Sequence, residues 1–282
     1  MSFWLFALGA VVGSFINVLA VRYDPDQFLF KKSSLQGRSY CPHCRSTLRW
    51  FELVPVVSFL LQRARCRHCS GAISFQYPVV EILCGLIFVF VPSFVQSLPG
   101  SSLAYYASTL WTLVFVTLLL ITLIDMRLSI IPDEANIILG ILGIVIAYVS
   151  APAFGLGGGS FLGSYSFLFG YHGNIWMSRT VGVLFALVFF GVLFFLTRGR
   201  AMGVGDIKLG AVLGIVFGWP DILLIVALSF VFGSFFGAYV IFSGKKTMKS
   251  LVPFGPFLAL ASGAIFFFGY NLLDLYFKLV HI

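Results

Sequence analysis

Leu103–Ile124 runs for 22 residues without a charged side chain, and Ile222–Phe242 for 21. At 1.5 Å per residue, each makes a helix long enough to cross a hydrocarbon layer of about 30 Å. Five more long apolar stretches occur: Phe3–Val21, Pro78–Phe94, Ala135–Ala151, Thr180–Thr197 and Pro256–Leu273. An eighth, Ile207–Trp219, is short. A helix that is apolar all round needs either complete burial in protein or lipid around it. Only 10% of the residues are charged, against about 25% in a soluble domain. That is too little polar surface to cover a water-soluble particle of this size. The fold class expected is therefore an all-α polytopic membrane protein of about eight transmembrane helices. Met1-Ser2-Phe3-Trp4 lacks a positive n-region, and the apolar run behind it is longer than a signal-peptide core, so the first stretch reads as a retained span.

The net charge of +8 raises the question of nucleic acid, but its distribution points elsewhere. Nine of the 18 Lys and Arg fall between Arg22 and Arg67. Most of the rest sit in short segments: Arg127; Arg198, Arg200 and Lys208; Lys245, Lys246 and Lys249. Residues 92–108 and 152–178 carry none. This alternation is the positive-inside pattern. It puts the 22–76 loop in the cytoplasm and the N-terminus outside, with membrane lipids rather than nucleic acid as the partner of the basic charge. The alternation holds only if Ile207–Trp219 crosses. The Gly-, Ser- and aromatic-rich stretch Gly155–Gly173 reads as an external loop without a core of its own. No internal repeat of firm period is visible. The chain divides into an N-terminal part, 1–95, with the 22–76 cytoplasmic loop, and a nearly all-membrane part, 96–282.

That loop carries Cys41-Pro-His-Cys44 and Cys66-Arg-His-Cys69, with 21 residues between the pairs. Two thiolates at x2 spacing bite one tetrahedral zinc ion, and a second pair completes a four-thiolate structural site. Disulfides or idle thiols are the alternative, and a cytoplasmic setting disfavours disulfides. A zinc clip explains how a polar loop of this length holds a shape. His43 and His68 read as solvent-facing, and Cys84 as a small buried apolar side chain.

The chain has ten acidic residues. Asp24, Asp26 and Glu52 belong to the loop, and Asp221 and Asp274 to external span ends. Asp125 directly follows the 22-residue apolar run, and Asp206 lies in Gly203-Val204-Gly205-Asp206. Carboxylates at membrane depth are costly and so are functional candidates. Two of them sharing a partly dry site divide the work, one keeping a proton while the other acts as base on a water. Taken singly, Asp206 also reads as a helix N-cap and Asp125 as an interfacial partner of Arg127. Asp133 and Glu134 after Pro132, and Glu81 after Pro78, read as first-turn acids on helix dipoles.

In order along the chain stand Gly13-Ser14-Phe15-Ile16-Asn17-Val18 with Arg22; the two cysteine pairs; Tyr77-Pro78-Val79-Val80-Glu81; Asp125 with Ile131-Pro132-Asp133; Gly203-Val204-Gly205-Asp206-Ile207-Lys208-Leu209; and Pro253-Phe254-Gly255-Pro256-Phe257. Over nearly its whole length the sequence resembles the bacterial type IV prepilin peptidases, bifunctional leader peptidases and N-methyltransferases of the inner membrane. The resemblance implies catalytic aspartates at Asp125 and Asp206. It implies cleavage of the short basic leader of prepilin or pseudopilin substrates at the cytoplasmic face, at a Gly–Phe type junction. It also implies methylation of the new amine from S-adenosylmethionine by the part bearing the cysteine loop. No glycine-rich dinucleotide loop is present, so a methyl-donor site has another design. Asn17, Arg22 and Glu81 are the polar candidates beneath the loop, each equally suited to a structural role. Two competing readings are a proton-coupled transporter using the same carboxylates and a membrane-tethered zinc module for nucleic acid or protein.

Overall fold

The computed structural model describes residues 2–29, 37–98, 104–150, 160–170, 173–200, 202–243 and 252–280. Lys245, Lys246, Lys249 and part of the Gly155–Gly173 stretch lie outside them. The described residues are helical apart from turns and two isolated β-bridges. The helices are α1 (Ser2–Arg22), α2 (Val57–Leu61), α3 (Gln76–Ser97), α4 (Ala104–Leu128), α5 (Asp133–Ser150), α6 (Ile175–Thr197), α7 (Val204–Phe217), α8 (Asp221–Phe242) and α9 (Gly255–Val280). Six of them, α1, α3, α4, α6, α8 and α9, are long and apolar enough to cross a membrane. The chain forms two compact units, Met1–Ser93 and Phe94–Ile282.

In the first unit α1 lies against α3 through small residues, the usual means of bringing two membrane helices close. A Cβ on Gly9 would stand 2.7 Å from the Cys84 carbonyl oxygen, and one on Gly13 2.9 Å from the Glu81 Cα. Cys84 is fully buried at this crossing. Asn17, also buried, donates from Nδ2 to the Tyr77 carbonyl at 3.3 Å and ties the end of α1 to the start of α3.

The segment between them contains two matching hairpins. The bridge Tyr40–Thr47 encloses Cys41 and Cys44; the bridge Arg65–Ala72 encloses Cys66 and Cys69. In each, the first cysteine donates its N–H to the residue five ahead (Ser46 or Gly71) and accepts from the residue four ahead (Arg45 or Ser70). That last residue is left-handed in both, at φ 56°. Every position recurs 25 residues on, 41 to 66 and 44 to 69. This is the internal repeat that sequence inspection misses: only the cysteines and the adjoining histidines match in type, and the rest is equivalence of backbone.

In the second unit α7 is the core. Leu209, Leu213, Val216 and Phe217 are buried against α5 and α6. The helices alternate between two ends. At one end gather the C-terminus of α4 and the N-termini of α5, α7 and α9, through contacts of Asp125 with Gly255 and of Lys208 with Asp133. At the other, the Ser178 hydroxyl donates to the Trp219 carbonyl at 2.6 Å and the Trp219 indole N–H to the Phe169 carbonyl at 2.8 Å. Thus α7, with 14 residues, carries the chain from one end of the unit to the other.

The far end is closed by buried polar groups. Asp221 begins α8, and it is fully buried and accepts from the Ser160 hydroxyl at 2.6 Å and the Phe161 N–H at 3.1 Å. Arg179 is buried as well and donates to the Val216 carbonyl. The 3-10 helix Gly163–Phe169 is fastened by Tyr165, whose hydroxyl donates to Asp274 at 3.1 Å. Phe161 inserts among Trp111, Phe217 and Phe266, with ring centroids 4.8–6.0 Å apart. The described part of the Gly155–Gly173 stretch has no core of its own because it shares this one.

Candidate active site

Asp125 occupies the last turn of α4, after an uninterrupted apolar helix that delivers it to the unit's end. It is buried, and its Oδ2 accepts the Gly255 N–H at 2.9 Å. The close approach depends on glycine: a Cβ there would fall 2.7 Å from Asp125 Oδ2. Asp206 occupies the first turn of α7 and is buried too. Its Oδ2 reaches back to the Gly203 N–H at 3.0 Å, the carboxylate half of a capping box. The sequence reads Asp206 as the N-cap, but the N-cap is Gly203 and Asp206 stands at N3 and reaches back to it, an anchor that fixes the rotamer of its carboxyl. Gly205 packs on Ile131, where a Cβ would come within 3.2 Å, so the Gly-x-Gly pattern lets α7 begin against the α4–α5 turn. Asp125 and Asp206 both lie at the end of the unit where the C-terminus of α4 meets the N-termini of α5, α7 and α9. Asp133, by contrast, is exposed and paired with Lys208 at 2.7 Å, which agrees with its reading as a first-turn acid.

Within the first unit the four cysteine sulfurs all lie within 4.8 Å of one another. A tetrahedral site with Zn–S bonds of about 2.3 Å needs sulfurs about 3.8 Å apart, and Cys41 Sγ and Cys69 Sγ are 3.8 Å apart. Hydrogen bonds from the Ser46 hydroxyl, 3.1 Å away, and from its N–H pull the Cys44 thiol down to about 6. The N–H groups of Cys69 and His68 pull Cys66 down. The Gly71 N–H draws Cys69 down, yet desolvation and the neighbouring sulfurs prevail and push it up to about 11. The hairpins thus stabilise thiolates individually while their crowding resists full ionisation, a conflict that a dication resolves. The donor set fits zinc, and His43 and His68 are exposed beside it.

The three polar candidates for the methyl donor are engaged in holding the first unit together. Asn17 ties α1 to α3, and its Oδ1 is buried without a protein partner. Arg22 donates to the carbonyls of Gly37 and Arg38 at 3.4 and 3.2 Å. Glu81 accepts the Val56 N–H at 2.7 Å. That bond steadies a γ-turn of the strained hand: Val56 has φ 60° and ψ −50°, and the Val57 N–H bonds the Pro55 carbonyl at 2.6 Å. Each of the three thus has a structural partner within the first unit. No residue type marks the γ-turn in advance, because a β-branched residue is the last choice for positive φ.

Residues 7–94 match the Bacterial Peptidase A24 N-terminal domain, and residues 112–238 match the Type IV leader peptidase family. The Prepilin leader peptidase/N-methyltransferase of Burkholderia pseudomallei (strain K96243) is 30% identical, over 93% of this chain and 84% of that protein. Its namesake from Bacillus subtilis (strain 168) is 27% identical over 98% of this chain and 97% of that protein. The Pseudomonas putida protein of the same name is 31% identical, over 90% of this chain and 86% of its own length. No solved structure matches the chain significantly. With both parts matched in order and 30% identity holding across most of a relative's length, the chain belongs to the type IV prepilin leader peptidase/N-methyltransferase family.

Proposed function

We propose that this chain removes the basic leader of prepilin-like proteins at the cytoplasmic face of a bacterial inner membrane, using Asp125 and Asp206, and then methylates the new amine. The observation that carries the reading is the pair of buried carboxyls at one end of the second unit, each with Oδ2 anchored by a backbone N–H. Anchoring Oδ2 leaves Oδ1 of each toward the substrate. One carboxylate takes a proton from a water; the oxygen attacks the scissile carbonyl while the protonated partner hydrogen-bonds to the developing oxyanion. Collapse of the tetrahedral species breaks the C–N bond and returns a proton to the leaving amine. Water is consumed, and two chain ends are released.

The chain crosses eight times in this reading, with α5 and α7 added to the six long helices. If α5 did not cross, the loops bearing Asp125 and Asp206 would open on opposite sides of the bilayer. If α7 did not cross, Asp221 and Ser160 would be separated in the same way. At 1.5 Å per residue α7 spans only about 21 Å; the non-helical residues beside it make up the depth, and Met202, Gly218 and Pro220 among them are buried in protein. The N-terminus lies outside. Residues 1–95 carry the methyltransferase, with S-adenosylmethionine as donor and zinc on Cys41, Cys44, Cys66 and Cys69 as a structural clip. Residues 96–282 carry the peptidase.

The test uses purified protein in detergent with a prepilin substrate, with and without S-adenosylmethionine, read by mass spectrometry. Asp125→Asn and Asp206→Asn are each expected to lower cleavage by at least ~10²-fold, while a pre-cleaved substrate still gains its methyl group. Full cleavage by either variant would sink the two-aspartate mechanism.

A further inference from the structure

The loop of the first unit exposes more apolar surface than a solvated zinc module would. In α2, Val57, Leu60 and Leu61 stand at i, i+3 and i+4, so they share one helical face. They are 52%, 68% and 71% exposed, and Trp50, in the turn just before, is 80% exposed. Large apolar side chains clustered in this way mark a surface with a partner. Two observations identify the partner. First, the Val56 N–H is bonded to Glu81, in the second turn of membrane-spanning α3. The start of α2 is thereby fixed at the depth where α3 enters the bilayer. Second, the flanking side chains Arg49, Arg63 and Arg65 are exposed. An apolar face with Trp, fringed by arginines at the level of the headgroups, has the chemistry of an interfacial anchor.

We infer that the Trp50–Leu61 face of the zinc loop lies in the interfacial layer of the same leaflet, its tryptophan and leucines among the upper acyl chains and its arginines on anionic headgroups. Tryptophan is favoured at this level because its ring is apolar while its N–H stays wet. A prepilin is the competing occupant, since its helix is apolar, but its basic leader would be repelled by the same arginines. The anchor holds the loop down on the membrane instead of leaving it free in the cytoplasm. It rests only on the chain spanning a membrane, not on either enzymatic activity.

The experiment uses the full chain with 5-fluorotryptophan, reconstituted in nanodiscs of phosphatidylcholine with or without phosphatidylglycerol. The Trp50 fluorine resonance is assigned by its loss in Trp50→Phe, with Trp50→Tyr as the second variant should the first fold poorly. Broadening is compared between a headgroup nitroxide lipid and a water-soluble paramagnetic chelate. The expected result is several-fold greater broadening from the lipid probe. The combined Arg49→Gln and Arg63→Gln variant should reduce that difference in phosphatidylglycerol discs. Stronger broadening by the soluble chelate would show Trp50 in water and overturn the inference. Protection from both probes would mean that protein covers the face, and would overturn it equally. Release from the lipid probe only on adding a prepilin would still support the lipid contact in the resting enzyme.

Discussion

Gly255 tests the carboxylate geometry without removing a carboxylate. Its N–H holds Asp125 Oδ2 at 2.9 Å, and a Cβ there would stand 2.7 Å from the same oxygen. Since an ångström of misplacement can cost ~10²-fold in rate, Gly255→Ala should lower prepilin cleavage by about that factor. The protein should remain folded and its methylation of a pre-cleaved substrate should be unaffected. Activity within a few-fold of wild type would mean that Asp125 needs no such anchoring. At this scale the sequence spoke clearly where charge is rare. Asp125 and Asp206 stand out because they interrupt apolar segments. Asp221 does not, because a chain-end carboxylate and a buried one look alike until Ser160 and Phe161, 61 and 60 residues away, are seen to hold it.

Among the elements, the two cysteine hairpins and the α6–α7 crossing carry different kinds of stability. The hairpins have few apolar side chains inside them, so the proposed zinc clip would supply their folding energy. Stripping zinc with a chelator, or Cys66→Ser, should open residues 39–74 to limited proteolysis while leaving leader cleavage intact. Tightly bound zinc measured by mass spectrometry before treatment, and absent after it, checks the cause. A chelated protein as protease-resistant as the native one would refute a structural clip. The α6–α7 crossing depends instead on glycine: a Cβ on Gly214 would lie 2.7 Å from the Gly182 backbone, and one on Gly210 would meet the Phe190 ring. Backbone cannot rotate away, so Gly214→Ala should destabilise the protein by about 1–3 kcal/mol and lower its thermal midpoint in detergent. An unchanged midpoint would mean the helices separate freely. The length of each apolar run was legible in the sequence; which glycines let helices touch was not, because a glycine in a loop and one at a crossing have the same letter.

For the whole molecule the number of crossings joins the fold to the chemistry, and the short α7 is what makes it consequential. Six helices are long and apolar enough to span by themselves, and with only those six the loops following α4 and α6 would lie on opposite faces. Asp125 and Asp206 could not then act on one peptide bond. The ion pair between Lys208 and Asp133 and the hydrogen bond between Asp221 and Ser160 join segments at opposite ends of the unit, and both can form only if α5 and α7 each span. Eight crossings with an external N-terminus also put Arg127, Arg198, Arg200, Lys245, Lys246 and Lys249 on one side, as the positive-inside rule asks. Single cysteines at positions 129, 168, 199 and 244, introduced with the native five replaced, would be probed in intact cells with a membrane-impermeant maleimide. Position 168 should label from outside; 129, 199 and 244 should label only after the membrane is opened. Should 244 label from outside, α7 does not cross, and the basic segment after α8 has been put on the wrong face. Should 129 and 199 fall on different sides, the two-aspartate site fails with the topology. The four positions therefore test the fold and the chemistry together, because a dyad built from separate loops exists only if both loops open on the same side.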